Sequence, residues 1–103
     1  MRSLPQEFLT YHARDGRRDG PVSAIALGWM QLWPLADIYR LNHEYHVTEF
    51  APDLFGIGSD GAGEMLAFDN HDRILKVPFI GMDISEAILI APSWQHFERI
   101  ICA

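Results

Sequence analysis

Between residues 64 and 69 the chain alternates. Leu66 and Phe68 take one parity and Met65 and Ala67 the other, the period-two pattern of a strand. Residues 54–59 form a shorter apolar run ahead of it. Asp60-Gly61-Ala62-Gly63 between them is turn chemistry, because aspartate and glycine tolerate the tight backbone of a hairpin. A second turn, Asn70-His71-Asp72, leads into residues 73–80, where Leu75, Val77 and Phe79 share a parity. These features predict a three-stranded meander. Upstream, residues 22–33 also alternate. Val22, Ala24, Ala26, Gly28, Met30 and Leu32 take one parity, and Ile25, Leu27, Trp29 and Trp33 much of the other. One or two strands are expected, ending at Trp33, which Pro34 pushes toward extended geometry.

Helical spacing appears in three places. Leu4, Phe8, Leu9, Tyr11 and His12 predict a first helix, opened by a Ser3/Gln6 capping box and closed by Asp15-Gly16, with the glycine left-handed. Residues 15–21 read as a polar loop. Leu35, Ile38, Leu41 and Tyr45 predict one apolar stripe on a helix begun by Pro34 and running to about Glu44. Residues 50–53 are then a connector. Gly81-Met82-Asp83 breaks the meander, residues 85–87 suggest a helical turn, and 88–91 a short strand. Ser93 is the expected N-cap of a last helix carrying Trp94, Phe97 and Ile101 on one face. Trp33, Phe68 and Phe97 are the expected core aromatics, with Trp29 and Trp94 also assigned to apolar faces.

The length, 103 residues, suits a single domain with one core, spanning 1–103. The net charge of −6 sharpens the choice of partner. From Asp37 to Asp69 there are seven acids against Arg40 alone. Such a run disfavours nucleic acid, whose phosphates need Lys and Arg, and suits either a basic protein partner or plain solubility. Asp53, Asp60, Glu64 and Asp69 are the candidate partner-binding residues. A single cysteine, Cys102, allows no internal disulfide and no thiolate metal cluster. No segment reads as a signal peptide or a membrane span, so the expected compartment is the cytoplasm.

The candidate chemistry is thin. Gly56-Ile57-Gly58-Ser59-Asp60-Gly61 fits the spacing G-x-G-x-x-G, the dinucleotide fingerprint when it joins a strand to a helix. A strand pattern follows it, however, and Asp60 and Glu64 would stand where phosphate should sit. Gly58, Gly61 and Gly63 are instead expected as turn and close-approach positions. The carboxylates of Asp60 and Glu64 are expected to accept backbone N–H groups of that turn. His43-Glu44-Tyr45-His46 spaces its histidines at i and i+3, not the i and i+4 of a zinc helix. Asp69-His71-Asp72 reads as a turn and not as a general acid–base pair. No G-x-S-x-G elbow is present. No catalytic, cofactor or metal site is expected.

Taken in order, the motifs resemble a known family. They are Leu4-Pro5-x-x-Phe8, Leu32-Trp33-Pro34-Leu35, Asn42-x-x-Tyr45-x-Val47, Phe50-Ala51-Pro52, residues 57–64 (IGSDGAGE), Ala67-Phe68-Asp69, residues 77–82 (VPFIGM) and Ser93-x-x-x-Phe97. This order is similar to that of the SUKH superfamily, in its Smi/Knr-type branch. The resemblance implies a single α+β domain, a mainly antiparallel central sheet flanked by helices, with no enzymatic activity. It also implies an immunity protein that binds and neutralises a cognate bacterial toxin, a basic nuclease among the candidates. The alternative is a scaffold module without a toxin partner. Only Met1-Arg2-Ser3 precede the first motif, where the family usually has another helix. Its absence is expected to leave Leu4, Phe8 and Leu9 uncovered and to invite either a homodimer or a reorganised sheet edge.

Overall fold

The described residues form six strands in one antiparallel sheet, ordered β1-β2-β3-β4-β5-β6, so each strand pairs with its neighbour in sequence. The computed structural model describes residues 2–22 and 27–102. The strands are β1 (Asp19–Val22), β2 (Gly28–Leu32), β3 (Phe55–Ser59), β4 (Glu64–Phe68), β5 (Ile74–Pro78) and β6 (Ile88–Ala91). The expected meander is β3 to β5. β1 begins inside the stretch that reads as a loop, and it pairs Asp19 with Gln31 and Pro21 with Trp29. Proline is tolerated there because β1 is an edge strand. The expected alternation at Ala24, Ile25 and Ala26 lies outside the described residues.

Among the described residues four α-helices flank the sheet: α1 (Gln6–Ala13), α2 (Ile38–Glu44), α3 (Val47–Phe50) and α4 (Trp94–Ile101). The Ser3/Gln6 capping box does not form. Pro5 is the N-cap of α1, and its carbonyl accepts from the N–H groups of Phe8 and Leu9. After α1 the left-handed residue is Asp15, at φ 56°, rather than the glycine beside it. Ser93 does cap α4, its hydroxyl accepting from His96 N at 3.2 Å. Pro34 leads into a short 3₁₀ turn, Leu35–Asp37, before α2.

The sheet carries a core on each face, as strand parity requires. Leu66 and Phe68 join Phe8, Tyr11, Trp94 and Phe97 in the layer under α1 and α4. Met65 and Ala67 join Val47, Leu75, Val77 and Met82 in the layer under α3 and the segment after β5. Phe68 and Phe97 are fully buried, and half-buried Trp33 packs against both layers. Trp29 is 42% exposed, contrary to its expected place in the core. The second layer is built on β4 and β5 and does not extend over the β2 face that carries Trp29.

Two further expectations change. Phe8 is wholly buried, with Leu4 and Leu9 packed against the same core, so these residues do not form an open apolar surface. In the α2 region Ile38 is buried, but Leu35 and Tyr45 are substantially exposed, and the second buried position is the polar Asn42.

Candidate functional site

The four acids singled out in the sequence divide between opposite ends of β3 and β4. Asp53 precedes β3 and Asp69 follows β4, at one end of the hairpin. Asp60 follows β3 and Glu64 opens β4, at the other. They do not share one face.

Asp60 and Asp69 are buried and committed to the backbone. Asp60 Oδ1 accepts from Ala62 N at 2.8 Å and Glu64 N at 3.0 Å. Asp69 Oδ1 accepts from His71 N and Arg73 N, each at 2.9 Å, while Oδ2 takes Arg73 Nε at 2.6 Å. Burial pushes the Asp69 carboxyl up, but these hydrogen bonds and the Arg73 charge outweigh it and hold the group below its ordinary value. Glu64 acts differently from the expectation. Its backbone N–H serves the turn, and its carboxylate pairs with Lys76 Nζ across the strands at 3.0 Å.

The glycine-rich stretch runs as strand, turn, strand. Gly61 and Gly63 have φ of 74° and 99°, and β4 follows directly, so no helix N-terminus faces the turn. At Gly58 a Cβ would fall on the Gln31 carbonyl oxygen, because β2 and β3 approach closely there.

Asp53 remains exposed, and it lines a cleft of about 400 Å³. Arg2, Tyr39, Asn42, His43, Thr48, Phe55 and Asn70 are among its other walls. An adjoining depression shares Asn42, His43 and Thr48 and adds His46 and Glu49. The two make a groove over the junction of α2 and α3. Local geometry explains its shape. His46 takes a left-handed conformation (φ 56°), which breaks the helical run and lets α3 begin at Val47. Asp53 Oδ1 accepts from Asn70 Nδ2 at 3.1 Å, tying the connector before β3 to the turn after β4. Glu49 Oε2 lies 3.4 Å from His46 Nδ1. Phe50, beside His46, is 55% exposed.

The nearby cations are already engaged. Arg40 pairs with Asp37 at 3.3 Å and Glu44 at 2.9 Å. Arg2 donates to the Asp69 carbonyl at 2.9 Å and pairs with Asp72. The groove therefore offers carboxylates and aromatic surface outward. Of its residues, the sequence pattern pointed to Asp53 alone as a candidate. Arg2, Thr48 and Asn70 come from separate segments, whereas Tyr39 and His43 sit one turn apart on α2. Among the described residues, no helix is long and apolar enough to cross a membrane. No protein-family model matches the chain, and no curated protein is significantly similar to it.

Proposed function

We propose that this chain is a non-enzymatic protein-binding domain of the SUKH type, acting as an immunity protein that binds and neutralises a basic bacterial toxin. One observation carries the reading. The groove over α2 and α3 exposes Glu49 and Asp53 beside Tyr39, with the exposed Phe50 ring against His46 at its rim, while Arg2 and Arg40 are spent on internal acceptors. Aromatic anchors within a rim of one charge are what a basic partner needs, because the rings supply buried contact area and the charges speed encounter. The order of the motifs, from Leu32-Trp33-Pro34-Leu35 to Ala67-Phe68-Asp69, supports the family reading.

Co-expression with the product of the adjacent gene tests the function. Survival of cells that the gene product otherwise kills supports the immunity role, and failure to rescue, with no complex formed, sinks it. The E49K/D53K variant tests the face. It should keep its fold by circular dichroism and bind more slowly, with a weaker salt dependence. Unaltered association would move the interface away from this groove.

A further inference from the structure

We propose that the inner end of the groove is an arginine-receptive pocket, filled in cis by Arg2, whose place an arginine of the bound partner takes. This rests on the reading of the groove as the face for a basic protein.

The pocket has the features that select arginine. The Arg2 guanidinium carbon lies 5.6 Å from the Phe68 ring centroid and 6.0 Å from that of Phe55, within cation–π range of both. Its Nη1 donates to the Asp69 carbonyl at 2.9 Å, and its Nη2 meets the Asp72 carboxylate. A planar group whose faces meet rings and whose edge meets a carbonyl and a carboxylate is a guanidinium. An ammonium satisfies the charge but not the stacking. The walls are firm. Phe68 is fully buried and packs edge-on against Phe8 at 5.4 Å. Asp72 sits at φ 58° in the turn that the Asp69 carboxylate closes.

The cis occupant is built to leave. Arg2 lies ahead of α1, outside any helix or strand. Its carbonyl is held by one hydrogen bond, from the Tyr39 hydroxyl at 2.8 Å. Its Nε is buried and finds no acceptor among the described residues, an unmet donor that weakens the cis fit. The groove leads directly to this point, and Asp53 and Asn70 line the approach.

The experiment uses the intact chain with Arg2→Ala, titrated with N-acetyl-L-argininamide and followed by the backbone amide signals of Phe55, Phe68 and Asp72. Saturable shifts are expected at all three. Binding should be about tenfold weaker to the wild-type chain, where Arg2 competes, and about tenfold weaker for N-acetyl-L-lysinamide. A folded R2A chain without saturable shifts overturns the proposal, as does equal affinity for the lysine derivative or for the wild-type protein. Should R2A not fold, Arg2→Lys keeps the charge without the stacking. It is titrated in the same way, and saturable shifts support the pocket while their absence overturns it. Loss of the pocket leaves the groove reading intact, because rescue and the E49K/D53K variant test that separately.

Discussion

Asn42 and Gly56 hold each other as two strands would. Asn42 Oδ1 accepts from Gly56 N at 2.7 Å, and Asn42 Nδ2 donates to Gly56 O at 2.8 Å and to Ile38 O at 2.8 Å. The reason lies in the path of β2. Trp33 N still reaches Ile57 O, but Pro34 then turns the chain into the 3₁₀ segment, and on the side away from β4 no strand continues beside Gly56. A carboxamide has the donor and acceptor of a peptide group and takes the vacant place. Asn42→Ala would leave both backbone groups of buried Gly56 unmet. Chemical denaturation should show a loss of about 2–4 kcal/mol, from two buried polar groups without partners. A change below about 0.5 kcal/mol, the size of a neutral surface substitution, would refute this role.

The turns after β3 and β4 are built alike. In each, an aspartate accepts the N–H groups two and four residues ahead, from Asp60 to Ala62 and Glu64 and from Asp69 to His71 and Arg73. Asp60→Ala and Asp69→Ala should each cost about 2 kcal/mol in urea unfolding, the scale of two hydrogen bonds lost. The Asp69 change should be the larger, because Arg73 loses its partner too.

Asp69 also contributes to acid sensitivity. Its folded carboxyl lies below its ordinary 3.8, so the unfolded chain takes up the proton first. The stability it contributes is complete above that ordinary value and is lost as pH falls through the folded one. Asp69→Asn should flatten this part of the acid limb in a stability–pH curve, and an unchanged slope would count against the assignment.

His12 acts in a milder range. Burial, then the Arg18 charge, lowers its pKa from 6.5, and its Nε2 is buried without an acceptor among the described residues. The ring packs edge-on against Phe8 at 4.6 Å. The neutral form is the one the fold accepts. Stability should therefore be full above pH 6.5 and fall as pH drops toward the lowered folded value. His12→Phe keeps the aromatic contact and should remove this slope from melting temperatures measured between neutral pH and about pH 5.

Gly58 and Gly63 are required for different reasons, and alanine separates them. At Gly63 the added methyl meets nothing within 4 Å, so only the backbone at φ 99° resists it, a cost of about 1–3 kcal/mol. At Gly58 the methyl strikes the Gln31 carbonyl and the Leu32 backbone, and β2 must move off β3. Gly58→Ala should be the more destabilising of the two, and its amide exchange should rise along β2. The reverse order would contradict the close packing of these strands.

Much of the fold was legible because parity is a local property. Leu66 and Phe68 entered one core and Met65 and Ala67 the other, as alternation alone requires. The first helix was also legible, although its cap was not. Asn42 entered only as a motif residue, and its buried role was not legible, because an apolar stripe cannot reveal a polar side chain whose partner is a strand fourteen residues away. The acidic run did not distinguish Asp53, which is exposed, from Asp60 and Asp69, which carry the same charge into buried turns.

The residues by themselves determined where strands alternate, where glycine and aspartate turn the chain, and which faces must be apolar. These follow from backbone sterics and side-chain periodicity over a few neighbours. The tertiary structure alone decided that Trp29 stays exposed while Trp94 is buried, since only contact with a covering layer removes a ring from water. It also decided that Arg2 meets Asp69, 67 residues away, and closes the groove between α2 and β3. That meeting depends on the hairpin bringing the start of β3 and the end of β4 to one end of the sheet, where no spacing along the chain records it.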